Sequence, residues 1–173
     1  GLLAAMRRKG EQLSDQRIVF CGAGSAAVGI ADMICAGIAD EHNLSLDEAR
    51  KLVWMVDSRG LVTDTRPGEL ESHKLPYCRA EEPAGALLEV VKRVKPTVLI
   101  GASGHQHTFT ENVVRTVCGH CAAPVIFALS NPTTKAECTA EEAYNWSNGT
   151  AIFASGSPFD PVVYRGKTYT PGQ

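Results

Sequence analysis

Residues 18–29 read Ile-Val-Phe-Cys-Gly-Ala-Gly-Ser-Ala-Ala-Val-Gly. Apolar residues run straight into Gly22-Ala23-Gly24, and a stretch of helical character follows. A strand that turns tightly into a helix leaves backbone N–H groups at the positive end of the helix dipole, where they can hold a pyrophosphate. In this G-x-G-x-x-A pattern Gly22 permits the tight turn, Gly24 the close approach of phosphate, and Ala27 the packing of helix on strand. Asp57 ends the next apolar run, Leu52-Val-Trp-Met-Val56. An acidic residue there is placed to bind the hydroxyls of an adenosine ribose. It lies further past Gly24 than the usual spacing of about 20 residues, and an additional short helix over Ser45–Lys51 accounts for the excess.

A carboxylate that faces a 2′-phosphate needs cationic neighbours, because two anions repel. Arg59 stands two residues after Asp57, and Lys74 lies in the insertion that follows. Together they favour NADP, with NAD as the alternative. Two other groups could do chemistry. Cys118-Gly-His-Cys121 has the form of a C-x-x-C redox centre, but it closes a helix, where the dipole disfavours a thiolate. A zinc site would need two further ligands. His105 and His107 follow the third apolar strand and are read as solvated loop residues.

The elements that must position these groups alternate. Strands are expected at Arg17–Cys21, Leu52–Asp57, Thr97–Gly101, Pro124–Leu129 and Ala151–Ala154. Helices are expected at Ser25–Ala39, after a Ser45/Glu48 capping box, and at Ala84–Val94, Thr110–Cys118 and Thr139–Trp146. Gly60 to about Pro83 reads as an irregular insertion, and residues 1–12 as the end of a helix. The pattern specifies an α/β fold, a doubly wound parallel sheet of the Rossmann type, as one domain over 1–173. Ligands bind such sheets beyond the carboxyl ends of the strands. Those ends carry Gly22-Ala-Gly24, Asp57-Ser-Arg59, Gly101-Ala-Ser-Gly104, Ser130-Asn-Pro132 and Ser155-Gly-Ser-Pro158, all small or polar.

With 173 residues, 44% apolar and 21% charged, the chain can bury a substantial core. A net charge of −2 argues against a nucleic-acid partner that depends on phosphate contacts. No apolar run reaches the roughly 18–20 residues that span a bilayer, so no membrane partner is expected. The first residues have the wrong order for a signal peptide and begin mid-helix in character. The chain is therefore expected to be cut from a longer, soluble intracellular protein, cytoplasmic or organellar, with its six cysteines as free thiols rather than a disulfide scaffold.

Several blocks resemble the dinucleotide-binding domain of malic enzyme, the decarboxylating malate dehydrogenase. They are Phe20-Cys-Gly-Ala-Gly-Ser-Ala-Ala-Val-Gly-Ile-Ala31, Trp54-Met-Val-Asp-Ser-Arg-Gly-Leu61, Lys95-Pro-Thr-Val-Leu-Ile-Gly101, and above all Phe127-Ala-Leu-Ser-Asn-Pro-Thr133, Ala136-Glu-Cys-Thr-Ala-Glu-Glu-Ala-Tyr144 and Ile152-Phe-Ala-Ser-Gly-Ser-Pro-Phe-Asp-Pro161. The resemblance implies that Gly22, Ala23, Gly24, Ser25 and Ala26 hold the pyrophosphate and that Asp57, Ser58 and Arg59 lie at the adenosine ribose. It implies that Lys74 marks NADP preference, that Ser103 and Gly104 line the nicotinamide side, and that Asn131 hydrogen-bonds malate. The implied parent is a homo-oligomer that oxidatively decarboxylates malate with NAD(P), using Mg or Mn as a Lewis acid.

In the family, the acid tyrosine, the base lysine, the malate-binding arginine and the metal ligands precede this segment, so the chain alone is expected to be inactive. Gly104-His-Gln-His107 departs from the smaller residues of the family pattern. Two rivals remain distinct from this reading. A short-chain dehydrogenase needs Tyr-x-x-x-Lys, which none of the four tyrosines satisfies. A non-catalytic dinucleotide-sensing module shares the fold and the ligand.

Overall fold

The apolar runs assemble into a six-stranded sheet in a computed structural model that describes residues 1–173. The strands are β1 (Ile18–Cys21), β2 (Val53–Asp57), β3 (Gly60–Leu61), β4 (Val98–Gly101), β5 (Val125–Ala128) and β6 (Ile152–Ser155). Their spatial order is β3-β2-β1-β4-β5-β6, parallel throughout except for the antiparallel β2–β3 pair. Every residue of β1, β4 and β5 is buried. Their sequences are accordingly continuous apolar runs rather than alternating ones.

Six helices cover the two faces: α1 (Leu2–Lys9), α2 (Ser25–His42), α3 (Leu46–Arg50), α4 (Leu87–Val94), α5 (Glu111–Cys118) and α6 (Ala140–Trp146). Alternation along each strand divides the interior into two cores. Ile18 and Phe20 of β1 join Met55 and Ile100 against α1, α2 and α3. Val19 and Cys21 join Val56, Leu99 and Ile126 against α4, α5 and α6. Progression through the sheet reverses between β1 and β4, and in such sheets the crevice for a ligand opens at that reversal.

Local chemistry sets the helix starts. Ser45 and Glu48 form the expected capping box on α3, and Thr139 and Glu142 form another on α6. Thr110 accepts from the Val113 amide at the head of α5. Caps of this kind are each worth about 1 kcal/mol. Helix α2 runs three residues past its expected end, because Asn43 takes the left-handed conformation (φ 51°) that stops it. Helix α4 begins at Leu87 rather than Ala84.

Two regions differ from the sequence expectation. The stretch after Gly60 is not irregular throughout. It adds β3 to the sheet edge and a 3-10 turn, Ser72–Tyr77, that buries Lys74 and Tyr77. A two-stranded hairpin also follows the last expected strand: β7 (Val162–Tyr164) and β8 (Lys167–Tyr169). Its tip is Arg165-Gly166, both at positive φ, a less obvious turn pair than Asn-Gly. Tyr169 packs on Tyr144 of α6 with ring centres 4.6 Å apart. Beyond the hairpin, Gly172 pairs with Ala154 and covers the free edge of β6. All six cysteines are free, as the alternating α/β pattern predicts.

Gly22 has φ +116°, and a Cβ there would lie 2.4 Å from the Ala102 carbonyl oxygen, whereas a Cβ on Gly24 would meet nothing within 4 Å. Gly22→Ala is therefore expected to cost about 2 kcal/mol or more. Gly24→Ala is expected to cost less, about 0.5–1 kcal/mol, because alanine is a poorer helix N-cap than glycine. Urea denaturation of the two variants checks this, and equal losses would contradict it.

Candidate dinucleotide site

The carboxyl ends of β1, β2 and β4 enclose a crevice of about 320 Å³ lined by Gly22, Ala23, Gly24, Asp57, Ser58, Ser103 and His105, among others. At its floor the Gly22 amide donates to the Val56 carbonyl at 2.7 Å, and the Ala102 amide to the Cys21 carbonyl at 2.8 Å. These bonds draw the two loops together at the crossing point. Gly24 is the N-cap of α2 and offers no side chain. No protein group accepts from the amides of Ser25, Ala26 or Ala27. Three unpaired donors at the head of an 18-residue helix, beside a glycine with open space over it, suit an anionic group. Cys21 also lines the crevice, but burial pushes its thiol up to about 11, so it carries no thiolate near neutral pH.

Asp57 is not free to solvent. Arg66 grips it with two bonds of 2.8 Å, and Lys74 Nζ donates to it at 2.9 Å. The Arg59 amide adds a fourth donor at 2.9 Å. Desolvation opposes its ionisation. The Arg66, Lys74 and Arg59 hydrogen bonds outweigh it and hold the carboxyl far below the usual carboxylate range. Lys74 also meets Glu71 at 2.7 Å, and its side chain is only 9% exposed, so it is no solvated surface charge. The Arg59 guanidinium donates to the carbonyls of Pro67 and Glu69 and steadies the insertion. His73 contacts the Ala23 carbonyl at 3.1 Å and ties the same insertion to the glycine-rich turn.

Sequence reasoning missed Arg66. Its signal is its place in the insertion among breakers, where a cation reads as solvated. In fact it is buried, and its Nε has no protein partner. Ser103 and Gly104 lie on the loop after β4, joined to Ser130 by the 2.8 Å bond from the Gly104 amide to Ser130 Oγ. Asn131 follows Ser130, and its Oδ1 accepts from Ser157 Oγ. The structure thus gathers the glycine-rich turn, the Asp57 cluster and the Ser103 loop around one crevice, with Asn131 on the adjoining loop after β5. His105 and His107 are exposed, as expected. Cys118-Gly-His-Cys121 closes α5, away from the crevice, and burial pushes the Cys118 thiol up. Four other cavities are larger, of about 600, 450, 430 and 440 Å³, and none of them is lined by the glycine-rich turn or by Asp57.

The whole chain, residues 1–173, matches the family described as malic enzyme, NAD binding domain. The chain belongs to this malic enzyme family. It is 52% identical over 173 residues to NADP-dependent malic enzyme 4, chloroplastic, of Arabidopsis thaliana, covering all of this chain and 27% of that protein. It is 50% identical to the chloroplastic NADP-dependent malic enzyme of Zea mays, with the same coverage. The chain spans less than a third of the length of these relatives. The fold is that of the NAD-dependent malic enzyme of Thermotoga maritima, with a TM-score of 0.68 at 21% identity over 92% of this chain and 38% of that one.

Within the malic enzyme domain, no group of three or more His, Cys, Asp or Glu residues is placed to hold a metal ion. No helix is long and apolar enough to cross a membrane.

Because the native carboxyl of Asp57 is depressed, its ion pairs contribute stability above the ordinary carboxylate range near pH 4. That contribution fades as pH falls through the lower native value. Asp57→Asn is expected to destabilise the domain by about 1–3 kcal/mol at pH 7, with a smaller difference from wild type at pH 3. Denaturant titrations at both pH values check this, and a difference independent of pH would contradict it.

Proposed function

We propose that this domain binds a nicotinamide dinucleotide, NADP in preference to NAD, as the cofactor-holding part of an enzyme that oxidatively decarboxylates malate. The observation that carries the reading is the charge balance at Asp57. Two cations, Arg66 and Lys74, pair with two carboxylates, Asp57 and Glu71, and the Arg59 guanidinium, held on the carbonyls of Pro67 and Glu69, adds a third positive charge near Glu71 at the adenosine end of the crevice. A cluster with surplus positive charge suits a ribose bearing a 2′-phosphate better than a bare diol. The names of the plant relatives support the same choice.

In this reading Gly22, Ala23, Gly24, Ser25 and Ala26 receive the pyrophosphate on the free amides at the head of α2. Asp57 and Ser58 meet the ribose hydroxyls, and Arg59 and Lys74 meet the 2′-phosphate. Ser103 and Gly104 flank the nicotinamide half. Bound there, the nicotinamide supplies a hydride acceptor. Asn131 holds malate beside it: Ser157 occupies the amide oxygen, which leaves the NH₂ group to donate to substrate. The tyrosine, lysine and Mg or Mn site implied by the resemblance would come from outside these residues, so this chain alone binds but does not turn over malate. The whole enzyme is proposed as a soluble homo-oligomer.

Calorimetric titration of the chain with NADP and NAD tests the preference. NADP is expected to bind about tenfold or more tightly, with the advantage lost in Lys74→Gln. An equal or tighter fit for NAD would return Lys74 to a purely structural role.

A further inference from the structure

Glu137 is fully buried on the segment between β5 and α6, and no Lys, Arg or His forms an ion pair with it. A carboxylate in that position is costly unless its oxygens are satisfied by hydrogen bonds. Four donors satisfy it, all from two loops. Ser103 donates through its amide and its hydroxyl, both to Oε1 at 3.0 Å. Ser130 donates through its amide to Oε2 at 3.3 Å and through its hydroxyl to Oε1 in a short contact. Gly101 leaves the room for this: a Cβ there would fall 2.3 Å from Glu137 Cδ.

The direction of these bonds is fixed by chemistry. A carboxylate only accepts, so the Ser130 hydroxyl proton points at Glu137. Its oxygen then accepts the Gly104 amide at 2.8 Å. A chain runs from Gly104 N–H through Ser130 O–H to Glu137, while Ser103 reaches the same carboxylate directly. An apolar side chain could fill the volume, but it could not hold four donors from the ends of β4 and β5 at one point.

We infer that Glu137 is a positioning residue: its buried carboxylate locks the Ser103–Gly104 loop to the Ser130–Asn131 loop and so sets where the nicotinamide ring lies relative to bound malate. This rests on the dinucleotide reading of the crevice. Glu137 acts through the two serines and need not touch either ligand. Glutamine keeps its shape but replaces one acceptor oxygen by a donor NH₂, which would face a donor of Ser103 or Ser130. The lock loosens while the adenosine half of the crevice, built from β1, β2 and the insertion, is left alone.

The test titrates wild type and Glu137→Gln with NADP and with 2′-phospho-ADP-ribose, which has the same adenosine, phosphates and second ribose but no nicotinamide ring. The variant is expected to bind NADP about tenfold more weakly and to bind 2′-phospho-ADP-ribose as wild type does. Ser130→Ala, which removes the link from Gly104 to Glu137, is expected to give the same selective loss, and it decides the matter if the glutamine variant does not fold. Equal losses for both ligands, or no loss for either, would overturn the positioning role. If wild type binds neither ligand, the dinucleotide reading itself fails and the inference falls with it.

Discussion

The structure turns on one close approach between two backbones. Where the sheet reverses its progression, the turn after β1 presses against the chain leaving β4, and Gly22 has no side chain to hold them apart. The Ala102 carbonyl occupies the space a Cβ would need. This contact lets α2 begin directly over the crevice with its first amides unpaired. It also brings the loops after β1 and β4 to one crevice although their strands are far apart in sequence. The two cores press the helices onto the sheet and hold that arrangement.

Around this fixed point the crevice has two differently built halves. The side at the end of β2 is held by charge: Asp57 draws in Arg66 and Lys74, and Lys74 also meets Glu71. Partly buried pairs of this kind contribute through geometry and complete hydrogen bonding more than through Coulomb attraction alone. The other side is held by a single carboxyl group, Glu137, that has no ion-pair partner and collects serine and amide donors. Both halves use an acidic residue to position its neighbours. Only the first carries surplus cations that could meet a phosphate.

Much of this was legible in the sequence because the strands are buried on both faces. Val98-Leu-Ile-Gly101 and Val125-Ile-Phe-Ala128 cannot alternate, so they stand out as apolar runs. Gly22, Gly24 and Asp57 could be placed from their position at the ends of such runs. Arg66, the 3-10 turn and the β7–β8 hairpin could not. Their signals are short and polar, and the residues that matter there are buried by contacts made far along the chain. Glu137 was hidden for the same reason: a lone glutamate before a capping box reads as a surface residue, and only the folded chain reveals the donors converging on it. The family resemblance, by contrast, was carried by blocks such as Phe127–Thr133 and Ile152–Pro161, whose spacing local physics alone does not dictate.

The measurement that tests the central claim most directly is a crystal structure of this chain soaked with NADP. The account predicts density in the crevice at the switch between β1 and β4, with pyrophosphate oxygens on the amides of Ser25–Ala27 and the 2′-phosphate within hydrogen-bonding distance of Lys74 or Arg59. Density in the larger cavity beside α1 and β8, or a 2′-phosphate turned away from the Asp57 cluster, would contradict it.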